Sequence, residues 1–159
     1  MTIAIYPGSF DPITNGHLDI LKSGSEIFEK VIIAVAYNEN KTGFLTVKER
    51  VELIKQSVSH LKNVEVDSFQ GLTVDYAKKK GADVLLRGLR TSFDFEYELQ
   101  LSQTNNALNK DLKTVFLITK PEYNFISSSM VREILANNGD ISNFVPEAVK
   151  IFLTSKHDI

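Results

Sequence analysis

The chain has no cysteine. Disulfide frameworks, thiolate nucleophiles and cysteine-based zinc sites are thereby excluded together, and a reducing compartment is the natural fit. Charge of neither sign dominates: the net charge is -2 and the pI about 5.9, so no global basic field invites nucleic acid. Long hydrophobic runs are missing too. The longest, Val31 to Tyr37, falls far short of the roughly 20 residues of a membrane span. The opening MTIAIYPGSF has no basic n-region and too short an apolar run for a signal peptide. A soluble, cytoplasmic protein without membrane or nucleic-acid partners is expected. Three catalytic signatures are also absent. No G-x-G-x-x-G follows the first apolar run, no G-x-x-x-x-G-K-[ST] occurs, and there is no G-x-S-x-G. Dinucleotide oxidoreductases, P-loop NTPases and α/β hydrolases are disfavoured accordingly. The three histidines lack metal-ligand spacing, so a metal is expected to arrive with a nucleotide rather than on protein ligands.

What is present is alternation. β-rich runs at Thr2–Tyr6, Val31–Tyr37, Val64–Phe69, Asp83–Leu86 and Thr114–Thr119 carry branched aliphatic residues suited to strands covered on both faces. Between them, Val47, Val51, Ile54 and Val58 repeat at helical spacing. Thr46 and Glu49 stand at the distance of a capping box in front of that helix. Further helices are predicted over Gly16–Phe28, Leu72–Lys80 and Phe93–Asn109, and after Ser128 and Pro146. Strands joined by helices imply a doubly wound, Rossmann-like α/β fold: a five-stranded parallel sheet with right-handed crossovers and C-terminal helices. No linker or repeat interrupts it, which predicts a single domain over residues 1–159.

In such sheets ligands bind beyond the carboxyl ends of the strands, and three loops there are unusual. The first runs Tyr6-Pro7-Gly8-Ser9-Phe10-Asp11-Pro12-Ile13-Thr14-Asn15-Gly16-His17. Its prolines fix φ, its glycines permit close approach, and His17 enters the first turn of the next helix. An anion there meets free N–H groups and the positive end of the helix dipole. A histidine so placed can donate a hydrogen bond to charge developing in a transition state. The plain alternative makes Thr14 the helix cap and His17 a surface residue. The second loop, Leu86-Arg87-Gly88-Leu89-Arg90, sets two arginines about a glycine, suited to phosphate. Acids in the following Phe95-Glu96-Tyr97-Glu98 can pair with these arginines or contact a substrate hydroxyl. The third, Tyr123 to Arg132, has Ser127, Ser128 and Ser129 entering a helix, where one would suffice as cap. Lys41, in the polar loop Asn38 to Gly43, is a further candidate phosphate contact. His60 and His157 have no partnering pattern.

Together these segments resemble a known family. TNGH resembles the T/HxGH signature of the nucleotidylyltransferase superfamily, and the serine-rich segment before Arg132 resembles its ISSTxxR signature. PGSFDPITNGH, RGLR, DFEYE and FISSS, in order, resemble the bacterial phosphopantetheine adenylyltransferases over Ala4 to about Pro146. The resemblance implies transfer of AMP from ATP to 4'-phosphopantetheine, giving dephospho-coenzyme A and pyrophosphate. It also implies Mg²⁺, a homohexamer, and dephospho-coenzyme A and coenzyme A as product or inhibitor. By the same resemblance, Ser9, Lys41, Thr73 and Arg87 contact the phosphopantetheine. Ser9, Phe10, His17, Gly88, Leu89, Arg90, Glu98 and Tyr123, Asn124, Phe125, Ile126, Ser127, Ser128 and Ser129 hold ATP. His17 stabilises the transition state, with Lys41 and Arg90 beside it. Ser9 and Ser129 stand where other members have threonine, preserving the hydroxyl; position 73 varies, which favours a backbone contact there.

The implied chemistry agrees with the residues. A phosphate monoester is already ionised at neutral pH, so it attacks without a general base. What it needs is two anions held in line and charge stabilised at the α-phosphorus. Two rivals stand beside this reading: a relative with nicotinate mononucleotide or glycerol 3-phosphate as acceptor, and a non-catalytic nucleotide sensor. RGLR and DFEYE argue against the first, and the conjunction of His17, Lys41 and Arg90 against the second.

Overall fold

A computed structural model describes residues 1–157 of the chain. Residues 158 and 159 of the expected domain, and the side chain of His157, lie outside the described residues. Five strands, β1 (Ile3–Gly8), β2 (Lys30–Ala36), β3 (Val64–Phe69), β4 (Val84–Leu89) and β5 (Lys113–Ile118), form one parallel sheet in the order β3-β2-β1-β4-β5. The helices are α1 (Asn15–Ile27), α2 (Val47–Val58), α3 (Thr73–Lys79), α4 (Ser92–Leu108), α5 (Ser128–Ala136) and α6 (Glu147–His157). A single 3-10 turn, Pro121–Tyr123, precedes α5. This is the doubly wound Rossmann-like fold expected.

Strand alternation divides the core into two layers. Ala4, Val31, Ile33, Val35, Val84 and Leu86 face one side, where Ile20 and Leu21 of α1, Leu53 and Ile54 of α2, Val131 of α5 and Val149 of α6 cover them. Ile5, Ile32, Ala34 and Leu85 face the other, against Val74, Tyr76 and Ala77 of α3. The capping box of α2 forms as predicted: Glu49 N–H donates to Thr46 Oγ1 at 3.1 Å and Thr46 N–H to Glu49 Oε2 at 2.8 Å. Among the described residues, no helix is long and apolar enough to cross a membrane.

Two strands run further than predicted. β1 continues through Pro7 and Gly8, which pair with Ala34 and Val35 of β2, and β4 continues through Arg87, Gly88 and Leu89, which pair with Phe116, Leu117 and Ile118 of β5. The residues concerned are poor strand formers, and pairing with a neighbour overrides that preference. Between β1 and β4 the ladder is short, Ala4 with Val84 and Ile5 with Leu85. Beyond Ile5 the two strands part. That parting is the topological switch point of the sheet, and it opens a crevice at the strands' carboxyl ends.

Candidate active site

The crevice is bounded by the end of β1 and the loop that follows it, whose backbone carbonyls need donors. Side chains supply them. Arg87 of β4 donates to Pro7 O at 2.8 Å, Arg50 of α2 to Ser9 O at 3.1 Å, Arg132 of α5 to Asp11 O at 2.7 Å, and Ser128 to Pro12 O at 2.7 Å. Three arginines from three elements thus fix the segment Pro7–Pro12 from outside. Phe10 takes a left-handed conformation (φ 46°) and is buried edge-on against His17, ring centroids 5.0 Å apart. The hold on these carbonyls keeps that uncommon backbone in place.

His17 is the third residue of α1 and completes a capping box. Its backbone N–H donates to Thr14 Oγ1 at 3.3 Å, while Thr14 N–H donates to His17 Nδ1 at 3.0 Å. Both readings offered by the sequence therefore meet in one arrangement, since Thr14 does cap the helix and the imidazole lines a cavity of about 280 Å³. Because Nδ1 accepts from an amide, the ring proton sits on Nε2, leaving a donor. Burial, then the charges of Arg90 and Arg87, push its pKa down to about 4. At neutral pH His17 is an uncharged N–H donor.

Around it the cavity is electropositive in its dipoles and balanced in its side-chain charges. Arg87 is gripped bidentately by Glu98, Nε–Oε2 2.8 Å and Nη2–Oε1 2.5 Å. Burial alone would lower the Arg87 pKa, but the Glu98 carboxylate holds it above its ordinary value. Arg90 pairs with Asp94 at 3.1 Å and donates to Ile126 O at 2.7 Å. Glu98 is thus a buried partner of an arginine, 6% exposed, whereas Glu96 is solvated. Two helix N-termini point into the same space. Gly16 N–H of α1 and Ser128 N–H of α5 have no partner among the described residues, the usual disposition of an anion site. Gly88 permits this crowding, for a Cβ there would stand 2.8 Å from Ile20 Cγ1 of α1.

The serines divide their work. Ser127 caps α5, accepting from Met130 N–H at 3.1 Å; Ser128 holds the Pro12 carbonyl; exposed Ser129 accepts from Arg132 at 3.2 Å. Ser9, Phe10, His17, Arg87, Gly88, Arg90, Glu98, Ile126, Ser127 and Ser128 all line the cavity. Lys41, Thr73, Leu89, Tyr123, Asn124, Phe125 and Ser129 do not. Lys41 stands exposed on the loop after β2, Thr73 is the first residue of α3, and Phe125 packs edge-on against Phe144. Four lining residues have no individual role in the sequence reading: Ile20 and Thr119, and also Tyr6, which opens the first loop, and Asp94, which opens DFEYE. Tyr6, a strand residue that also opens the first loop, is buried and borders the cavity, and burial raises the pKa of its hydroxyl. Asp94 is legible in hindsight, four residues after Arg90 at ion-pair spacing.

Fold and crevice define a nucleotidyltransferase of the cytidylyltransferase-like family, whose model matches residues 5–134. A crystal structure from Vibrio parahaemolyticus, provisionally described as a nicotinate-nucleotide adenylyltransferase, shares this fold. It gives a TM-score of 0.76 at 20% identity, covering 99% of this chain and 94% of that one. The sequence relatives are more specific. A phosphopantetheine adenylyltransferase of Alkaliphilus metalliredigens is 51% identical over 98% of this chain and 99% of its own. One from Crocosphaera subtropica is 57% identical over 92% of this chain and 94% of its own. The chain belongs to the phosphopantetheine adenylyltransferase family and is an enzyme of nucleotidyl transfer.

Proposed function

We propose that the protein transfers the adenylyl group of ATP to 4'-phosphopantetheine, forming dephospho-coenzyme A, the penultimate step of coenzyme A synthesis, in the cytoplasm. An oxygen of the acceptor's phosphate attacks the α-phosphorus in line. The new P–O bond forms as the bond to the β-phosphate oxygen breaks, and pyrophosphate leaves with the electron pair. No proton must be removed, and no covalent enzyme intermediate forms.

The observation that carries this reading is the state of His17: neutral, with Nε2–H free and Nδ1 engaged by Thr14. A group in that state is a hydrogen-bond donor rather than an acid, as charge stabilisation at the α-phosphate requires. Arg90, Arg87 and Lys41 offset repulsion between the two anions, and the N–H groups of Gly16 and Ser128 add donors without adding net charge. Ser9, Lys41, Thr73 and Arg87 are assigned to phosphopantetheine, and Ser9, Phe10, His17, Gly88 to Arg90, Glu98 and Tyr123 to Ser129 to ATP. In that assignment Glu98 acts through Arg87.

Among the described residues no group of three or more His, Asp or Glu side chains is placed to hold a metal ion. Mg²⁺ is therefore proposed to enter on the phosphates of ATP, where it supplies charge neutralisation for the leaving pyrophosphate. Assembly as a homohexamer is supported by α4, a 17-residue helix in which only Glu98 is buried while Phe93 (83% exposed), Phe95, Tyr97 and Leu99 face outward. Dephospho-coenzyme A and coenzyme A are the expected product and inhibitor.

The deciding experiment is pyrophosphate release from ATP with a panel of acceptors. Release with 4'-phosphopantetheine at a kcat/KM far above that with nicotinate mononucleotide or glycerol 3-phosphate is expected. Preference for either rival, or no turnover with any, overturns the assignment.

A further inference from the structure

Lys41 lies on the loop after β2 and His17 on α1, beyond the loop after β1, and past the last β1–β2 pair, Gly8 with Val35, the sheet does not tie the two segments. Asp11 does. Its carboxylate accepts from Phe44 N–H and Leu45 N–H, both at 2.8 Å, and so captures the end of the loop that carries Lys41. Asp11 itself belongs to the loop that leads to His17. Arg50, 7% exposed, completes the junction from α2: Nε donates to Leu45 O at 3.1 Å, Nη1 to Ser9 O at 3.1 Å, and Nε lies 4.0 Å from Asp11 Oδ1. One guanidinium thereby holds a carbonyl of each loop. The space is filled closely: a Cβ on Gly43 would stand 2.9 Å from Arg50 Nη2 and 3.0 Å from Asp11 Oδ2. Neither side chain borders the cavity around His17.

We propose that Asp11 and Arg50 are a positioning pair that sets the Lys41 loop against the His17 loop, and so aligns acceptor phosphate with ATP. The proposal rests on Lys41 contacting the acceptor, as given under Proposed function. Burial of a carboxylate and a guanidinium is costly unless each is satisfied. Here each is satisfied chiefly by the backbone of the loops it joins, so loss of either frees a loop without removing a substrate contact. In-line transfer is sensitive to such freedom, since misplacement by about 1 Å can lower rates roughly 100-fold.

The test pairs kinetics with amide exchange. Arg50→Met keeps the apolar stem within α2 and removes both carbonyl contacts. It is expected to leave ATP affinity within about twofold, while kcat/KM for phosphopantetheine falls on the order of 10- to 100-fold. Arg50→Lys should restore part of the loss. The sharper readout is coupling: Lys41→Ala should cost much less in the Arg50→Met background than in the wild type, because an unfixed loop already wastes Lys41. Equal factors in both backgrounds overturn the proposal, as does wild-type turnover by folded Arg50→Met. A merely structural role would lower the melting temperature and the active fraction with KM unmoved, which also contradicts it. If Arg50→Met does not fold, Asp11→Asn decides. Its single remaining acceptor should speed exchange of the Phe44 or Leu45 amide, and unchanged exchange at both sinks the idea. Should the wild type fail to use phosphopantetheine at all, the functional reading fails, while the exchange measurement still reports on the tether.

Discussion

His17 carries a structural load and, in the proposed mechanism, a chemical one, and the two are separable by measurement. The imidazole satisfies an orphan amide at the start of α1, so His17→Ala should cost about 1 kcal/mol, as lost caps do. For a chain of this length that lowers the melting temperature by about 2–4 °C, which calorimetry resolves. The same substitution removes the donor proposed to meet developing charge and should lower kcat roughly 100- to 1,000-fold. Wild-type turnover by the folded variant would remove His17 from the mechanism. The depressed pKa gives a second check. Between its usual value of about 6.5 and about 4, the unfolded chain binds the proton more readily than the folded one. The contribution of His17 to stability is thus complete above the unfolded value and is lost as pH falls through this window. Protonation would also end acceptance from Thr14 N–H. Nuclear magnetic resonance of the imidazole should therefore show no His17 titration between about pH 6 and 8; a midpoint near 6.5 would contradict a neutral donor.

Among the elements, β4 and α4 act as a unit through Arg87 and Glu98. Glu98→Ala would leave a largely buried guanidinium without its carboxylate, and broken buried pairs of this kind cost about 3 kcal/mol at the low end. That low end applies because Arg87 keeps 22% side-chain exposure. Urea denaturation should show it, together with a weaker hold on Pro7. Arg87→Ala is expected mainly to raise KM for phosphopantetheine; a pure loss of ATP affinity would reassign the residue. Gly88→Ala tests how closely α1 lies on β4: the added methyl meets Ile20 and should cost about 1–3 kcal/mol by overpacking, and an unchanged melt would mean that α1 can shift.

Elements were legible where local pattern and tertiary need coincide. Branched aliphatic runs gave the strand cores, and Thr46 with Glu49 announced the start of α2. The strand ends at Pro7-Gly8 and Arg87-Gly88-Leu89 were not, because their extended form comes from neighbouring strands rather than from their own preference. The site follows the same rule. His17, Arg87, Arg90 and the serines stand out by type and position after strands. Asp11 and Asp19 look like ordinary surface acids, and only packing shows that they are buried. Asp19, for instance, reaches 101 residues along the chain to accept from Lys120 N–H.

At the level of the whole molecule, the exposed apolar face of α4 and the end of β5 set an expectation about assembly. Phe93 and Ile118 are each more than four-fifths exposed. Light scattering should give six times the 17.9 kDa chain mass, and Phe93→Asp should shift the protein to smaller species while its helical content persists. A wild-type monomer at micromolar concentration would contradict the hexamer.

The central claim is that two anions react directly in the crevice between β1 and β4, with no covalent stage. Exchange of labelled pyrophosphate into ATP tests it. With ATP, Mg²⁺ and enzyme alone, no label should enter ATP; with dephospho-coenzyme A added, exchange should appear as the reverse reaction runs. Exchange in the absence of any pantetheine compound would reveal an adenylyl-enzyme and contradict the account.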